Sequence, residues 1–106
     1  MTSRYRVVAT DTFQEDIERL EEFIVQRELA SETPDDTCLF RFRDAVERAM
    51  AILSFAPHTC RRCEAHRAFR ELLVPFGHGG CVVLFAIRDQ DVLLLAARDQ
   101  HEQDYR

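Results

Sequence analysis

Four side chains of the kinds that bind zinc lie in one short segment of the sequence, at His58, Cys60, Cys63 and His66. Thiolate and imidazole groups are the ligands that tetrahedral zinc prefers. Structural zinc sites usually draw two ligand pairs from separated segments, whereas this cluster is a single run beside Arg61 and Arg62. We therefore expect a solvated loop and no cofactor, with a zinc site as the alternative.

The same loop offers a second chemistry, a redox pair formed by Cys60 and Cys63. Neighbouring arginines favour the reactive thiolate, but redox pairs of this spacing belong to a strand–helix–strand context that is missing here. Cys38 and Cys81 are interpreted as small core residues. We expect all four cysteines to be reduced thiols, as is usual in the cytoplasm.

Length and charge limit the possible functions of the chain. Its 106 residues fit one domain, 1–106, and its formal net charge is −5. All 14 basic residues are arginines, and the acidic excess lies in the N-terminal half. An acidic chain is a poor generic ligand for nucleic acid. The apolar runs are too short for a membrane span, and no signal-peptide pattern precedes Val7, so we expect a cytoplasmic protein without a membrane partner.

The first half of the chain predicts one strand and two helices. Tyr5–Ala9 has the composition of a strand. Thr12 and Glu15 have the spacing of a capping box at the start of a helix that fades near residues 28–30. Its apolar stripe contains Phe13, Ile17, Leu20 and Ile24.

A second helix is predicted from a Thr33 cap, with Pro34 at its first position, to the stop at Pro57. The apolar stripe of this helix contains Leu39, Phe42, Val46, Ala49 and Leu53. Two amphipathic helices joined by a short connection form a helical hairpin.

The second half of the chain predicts a polar loop at 58–67 and then three strands. These are Ala68–Val74, Cys81–Ile87 and Val92–Ala97, with a hairpin loop at 88–91. The predicted class is therefore α+β with the order β-α-α-β-β-β. We expect the helical hairpin to cover one face of a small, mainly antiparallel sheet.

Residues 70–105 carry a pattern that resembles a known family. It consists of Arg70-Glu-Leu-Leu-Val74, Phe76-Gly77, Gly80-Cys-Val-Val-Leu-Phe85, Val92-Leu-Leu-Leu-Ala96 and a tail with Arg98, Gln100, Glu102 and Tyr105. It resembles the RelE/ParE superfamily of toxins from type II toxin–antitoxin modules, on the ParE, or plasmid stabilisation, side. Asp99 and His101 depart from the family's usual tail, which has His and Arg there.

The resemblance implies a toxin that a cognate antitoxin neutralises. ParE-like members are associated with poisoning of DNA gyrase, and RelE-like members cleave mRNA on the ribosome. Most helix phenylalanines are interpreted as core. Part of that stripe is expected to form the antitoxin groove, for which Phe23 and Phe42 are the candidates.

RNA cleavage would need an acid, a base and cations around the phosphate. RelE-like nucleases tend to use Lys, Arg and Tyr, so with lysine absent the candidates are Arg70, Arg98, His101 and Tyr105. These positions could converge at one end of the sheet. The alternative is that Arg70 and Arg98 form structural ion pairs with Glu71, Glu102 or the other acids of the tail.

The acidic balance favours a protein target. Our hypothesis is a ParE-like gyrase inhibitor, not an enzyme; the alternatives are a RelE-like ribosome-dependent endoribonuclease and a non-toxic binding module with a Cys/His loop.

Overall fold

Two helices and a five-stranded sheet make up the part of the chain that the computed structural model describes, residues 4–77, 79–102 and 104–105. The order is β1 (Arg6–Ala9), α1 (Asp11–Leu29), α2 (Cys38–Phe55), a 3-10 helix (Pro57–Thr59), β2 (Arg61–Arg62), β3 (Arg70–Phe76), β4 (Gly79–Arg88) and β5 (Asp91–Asp99). The predicted α+β class is confirmed. The short strand β2 lies where we expected only a polar loop. His78, residues 1–3, Gln103 and Arg106, which the predicted domain 1–106 includes, lie outside the described residues.

The strands are ordered β1-β5-β4-β3-β2 in the sheet. Strand β1 runs parallel to β5, while β2–β3, β3–β4 and β4–β5 are antiparallel. The described sheet is therefore mainly antiparallel, as predicted. Strands β3, β4 and β5 follow one another as a meander. Their apolar sequences explain why β4 and β5 lie inside the sheet.

Both helices pack on one face of the sheet, which we call the helix face. The buried side chains there come from α1, α2 and three strands, and include Phe13, Leu20, Ile24, Phe42, Ala49, Leu53, Val74, Val83, Phe85, Val92 and Leu94. The predicted apolar stripes supply most of the helical contribution. Neither of the two described helices is long and apolar enough to cross a membrane.

The start of α1 differs from the prediction. Thr10 is the N-cap, and its Oγ1 accepts a hydrogen bond from the Phe13 amide at 3.3 Å and donates one to the Leu94 carbonyl at 2.7 Å. Thr12 lies within the first turn and is exposed. The predicted capping box of Thr12 and Glu15 is therefore wrong. The Leu94 carbonyl of β5 is thus a second hydrogen-bond partner of Thr10, and the two groups meet only in the folded chain.

The start of α2 also differs from the prediction. The helix begins at Cys38 and not after Thr33, because the preceding segment is held as a loop. The Asp35 carboxylate accepts hydrogen bonds from the Thr37 amide at 2.9 Å and the Thr37 hydroxyl at 2.6 Å. The Glu28 carboxylate accepts one from the Asp35 amide at 2.9 Å. These local bonds compete with the first helical turn.

Replacing the two threonines near the start of α1 distinguishes the observed cap from the predicted one. We expect Thr10→Ala to lower the free energy of unfolding by about 1–2 kcal/mol, since a cap bond is lost. Thr12→Ala is expected to change it by less than about 0.5 kcal/mol, as is usual for an exposed position. Urea denaturation of both variants measures the difference. A larger loss for Thr12→Ala would contradict the assignment of the cap.

A bulge in β5 decides which side chains reach the other face of the sheet, which we call the open face. Leu84 pairs with Ala96, but Phe85 pairs with Leu94, so Leu95 is the extra residue. Before the bulge, Val92 and Leu94 point to the helix face; after it, Ala96 packs on the open face. A bulge thus inverts the alternation of the strand, and Arg98 follows Ala96 to the open face.

Candidate functional site

The centre of the open face is a buried carboxylate, Glu71 of β3. It is opposite Leu84 in the ladder and is turned away from the helices. Glu71 Oε2 accepts a hydrogen bond from the Tyr105 hydroxyl at 2.6 Å, and Oε1 accepts one from Arg61 Nε at 3.2 Å. Arg98 Nη2 lies 3.7 Å from Oε2. One carboxylate thus joins β2, β3, β5 and the C-terminal tail.

Arg98 holds the tail in a second way. Its guanidinium carbon lies 5.2 Å from the centroid of the Tyr105 ring, a cation–π contact. Its Nη1 donates to the Glu102 carbonyl at 2.5 Å. Its Nε is buried and has no hydrogen-bond partner among the described residues. Among the described residues, Glu71 is the carboxylate with which this side chain forms an ion pair.

Helix α1 fixes the tail from the opposite side. Arg19 pairs with Glu102 at 3.3 Å, and the buried Asp16 carboxylate accepts a hydrogen bond from the Ala97 amide at 2.9 Å. Neither residue was predicted to belong to the site. The available signal was the position of Asp16, which falls between Phe13 and Leu20 on the apolar face of α1, where an acid needs a buried partner.

A cleft of about 720 Å3 lies over the Glu71 cluster. Strand β2 borders it with Arg61 and Arg62, and the loop after β2 borders it with Arg67. Arg98 and Tyr105 line it from β5 and the tail. Guanidinium groups suit phosphate and carboxylate ligands. Acidic side chains line the cleft as well, namely Glu64, Glu71 and Asp104, so its charge is mixed.

Of the four predicted nuclease residues, only Arg98 and Tyr105 come together. Arg70 lies on the helix face, where its Nη1 donates to the carbonyls of His58 at 3.2 Å and Cys60 at 2.7 Å. Neighbouring strand residues face opposite sides, so Arg70 and Glu71 diverge. His101 packs against Gly79, and it lines a different cleft, beside Cys38 and Arg41. The four residues therefore do not converge. Of the structural alternative, the pairing of Arg98 with Glu71 is observed, whereas Arg70 bonds to carbonyls and forms no ion pair with a described acid.

The Tyr105 hydroxyl is the proton donor of a fixed hydrogen bond to Glu71 within this cluster. Burial, together with the hydrogen bond to Glu71 and the charge of Glu71, raises the pKa of Tyr105 well above its ordinary value. The phenol therefore keeps its proton and donates it to an internal carboxylate. A phenol so engaged is poorly placed to exchange a proton with a bound substrate.

The pKa shift of Tyr105 predicts how stability depends on pH. Its folded-state pKa is raised, so its contribution is complete below the unfolded pKa near 10 and is lost as pH rises above that value. We expect the native protein to lose more stability than Tyr105→Phe between about pH 9 and pH 11. Urea denaturation at both pH values measures this. Burial also raises the pKa of Cys81, to about 12, so that contribution is common to both proteins and cancels. Equal losses of stability in the native protein and in Tyr105→Phe would contradict the hydrogen bond between Tyr105 and Glu71.

The four residues of the Cys/His loop point in different directions. Cys60 packs against the core of the helix face, whereas Cys63 is buried on the open face against Leu84. The His58 ring lies 5.9 Å from the Tyr5 ring, and the His66 ring lies 5.9 Å from the Phe69 ring. Among the described residues, no group of three or more His, Cys, Asp or Glu side chains is arranged to hold a metal ion. The separation arises because β2 pairs with β3 between the two cysteines.

Burial predicts the order in which the thiols react. All four cysteines are free; Cys60 is partly buried, and the other three are buried. Burial raises the pKa of Cys60, and that of Cys81 more strongly. We therefore expect slow labelling by iodoacetamide at neutral pH, at Cys60 before the others, with all four labelled in urea. Peptide mass spectrometry gives the order, and early labelling of Cys81 would contradict it.

The two candidates for the antitoxin groove have different environments. Phe42 is only 3% exposed and packs against Phe76 with ring centroids 5.4 Å apart, so it belongs to the core. Phe23 is 60% exposed. Phe42, which α2 turns toward the sheet, therefore has little surface to offer a partner, whereas the ring of Phe23 is accessible to one.

Comparison of the sequence with protein-family models and with curated proteins gives no match.

Proposed function

We propose that this chain is the toxin of a type II toxin–antitoxin module of ParE-like type, and that it acts by binding DNA gyrase in the cytoplasm. A cognate antitoxin would neutralise it. The resemblance of residues 70–105 and the order of the elements support the proposal. On this hypothesis the chain arrests growth by stoichiometric binding to gyrase, and no catalytic residue is required.

The observation that carries the proposal is the engagement of Arg98 and Tyr105 with Glu71. Of the four residues a RelE-like nuclease would use, these two meet, and both are bound to an internal carboxylate, with the Tyr105 hydroxyl 2.6 Å from Glu71 Oε2. The remaining two, Arg70 and His101, lie elsewhere. The net charge of −5 also disfavours binding to ribosomal RNA.

A RelE-like endoribonuclease is the second candidate, and one observation favours it. Arg61, Arg62 and Arg67 line the same cleft as Tyr105, which provides guanidinium groups for a phosphodiester. In this hypothesis these three arginines would bind RNA, and Tyr105 would have to leave Glu71 in order to act.

Pulse labelling of bacteria after induction of this chain alone distinguishes these functions. We expect DNA synthesis to fall before protein synthesis. We also expect an Arg62→Gln, Arg67→Gln double variant to remain toxic, because this substitution removes phosphate-binding charge without touching Glu71. Purified gyrase would then lose supercoiling activity on addition of the chain.

Two outcomes would overturn the proposal. If protein synthesis falls first and the double variant is inactive, the chain is a nuclease that uses the arginine-lined cleft. If neither synthesis falls while the folded protein accumulates, the chain is a non-toxic binding module. Circular dichroism of the purified double variant verifies that it is folded.

A further inference from the structure

An apolar groove lies at the end of the helical hairpin, where α1 ends and α2 begins. It has a volume of about 240 Å3 and is lined by apolar side chains from both helices and the loop between them: Ile24, Val25, Leu29, Pro34, Leu39 and Phe40. Val25 and Leu29 are one helical turn apart and present a continuous apolar strip. The groove shares no lining residue with the cleft over Glu71.

Two large apolar side chains at the rim of this groove are mostly exposed to solvent. Leu29 is 73% exposed and Phe40 is 65% exposed, and neither belongs to the core cluster of the helix face. They are therefore not needed to hold the helices on the sheet. A contiguous apolar surface that the core does not use is characteristic of an interaction site.

The surroundings of the groove are acidic. Glu28, Asp35 and Asp36 line it, and residues 24–40, which span the groove, contain four acidic side chains and one basic side chain. Asp35 pairs with Arg41 and Glu28 with Arg27, whereas Asp36 and Glu32 form no ion pair with any described residue. The groove therefore combines an apolar floor with uncompensated negative charge, and this combination selects a partner with the opposite charge.

We infer that this groove binds an amphipathic helix of a partner protein, whose apolar stripe is flanked by lysine or arginine. A groove between two helices accepts a third helix through side chains at i, i+3, i+4 and i+7. Docking of a second copy through the same surface would bring two acidic rims together and is therefore disfavoured. The site is separate from the cleft, and the inference does not depend on the gyrase proposal.

Two designed peptides test this inference. Both carry the same leucine stripe at helical spacing, flanked by lysines in one peptide and by glutamates in the other, with a fluorescein label for anisotropy. We expect the lysine peptide to bind and the glutamate peptide to bind at least about tenfold more weakly, with binding of the lysine peptide falling as salt is added.

Matched variants locate the binding surface. The double variant Leu29→Ser, Phe40→Ser is expected to weaken binding of the lysine peptide about tenfold or more, because truncated anchors dominate such interfaces. Phe23→Ser is the control, since Phe23 is 60% exposed but does not line the groove. Asp36→Asn with Glu32→Gln should weaken binding and reduce its salt dependence. All of these positions are exposed, and urea denaturation verifies that each variant remains folded.

Three results would overturn the inference. The first is equal binding of the lysine and glutamate peptides, and the second is unchanged binding by the Leu29→Ser, Phe40→Ser variant. The third is a concentration-dependent dimer of the native chain in sedimentation that this double variant abolishes, which would assign the groove to a second copy.

Discussion

Replacement of Phe85 by alanine is expected to lower the free energy of unfolding by about 3–5 kcal/mol, the usual cost of removing a buried phenylalanine. Phe85 is on β4, has no exposed surface, and belongs to the cluster on which α1 and α2 pack. The loss combines the transfer of the ring to water with the cavity that remains under both helices. A domain of this size has a total stability of about 5–15 kcal/mol, so the variant is expected to unfold at a much lower urea concentration.

The control for this experiment is Phe23→Ala, which makes the same chemical change on the surface. Phe23 is 60% exposed on α1, and we expect a change within about 0.5 kcal/mol. Equal losses in the two variants would show that the sheet does not bury Phe85 as described. A similar slope of the unfolding transition in all three proteins would support a comparison of their midpoints.

Glu71→Gln is expected to lower the free energy of unfolding by about 3 kcal/mol, because it leaves the Arg98 charge without its buried partner. The side chain of Arg98 is 13% exposed, so water compensates little of the lost charge. The amide of the variant can still accept the Tyr105 hydrogen bond. Most of the loss therefore reports on Arg98 and not on Tyr105. Urea denaturation at neutral pH measures it.

An exposed ion pair on α2 supplies the matched control. Asp44 lies 3.0 Å from Arg48, and both side chains are mostly in solvent. Asp44→Asn makes the same carboxylate-to-amide change, and we expect it to cost less than about 0.5 kcal/mol. If Glu71→Gln cost no more than Asp44→Asn, Glu71 would not be the centre of the open-face cluster. Tail attachment and any function that depends on it would then need another explanation.

Local sequence patterns were sufficient to predict the type and order of the main helices and strands. The apolar residues of α1 and α2 recur with the helical period, and those of β4 and β5 form short continuous runs. Each signal is contained within a few neighbouring residues and does not depend on the remainder of the chain. The class, the helical hairpin and the meander could therefore be predicted. The strand β2 could not, because two arginines show no periodicity and become a strand only by pairing with β3.

The two helix starts differ from the prediction for different reasons, one tertiary and one local. Thr10 and Thr12 are both acceptable caps by residue type, and Thr12 has the better spacing to a glutamate. The folded chain favours Thr10, because the Leu94 carbonyl of β5 accepts its hydroxyl. At α2, the local bonds that Thr37 donates to Asp35 displace the start that Pro34 indicates. The deciding partner at α1 therefore lies on a distant strand, whereas at α2 it lies within the segment predicted to be helical.

The candidate site was only partly predictable from the sequence. Arg98 and Tyr105 were identified by resemblance, and Glu71 was named as a possible partner of Arg98, but their meeting on the open face was not foreseen. Strict alternation would place Arg98 on the same side as Val92 and Leu94, under the helices. The extra residue Leu95 moves it to the side of Glu71.

The sequence by itself thus determined the elements of this protein and the residues available for chemistry, while the tertiary structure decided which of those residues meet. The physical reason is the two-residue period of a strand, in which a shift of one residue reverses every side chain that follows. That period separates Arg70 from Glu71 although they are neighbours in the chain. The bulge at Leu95 joins Arg98 to Glu71 although β4 lies between their strands.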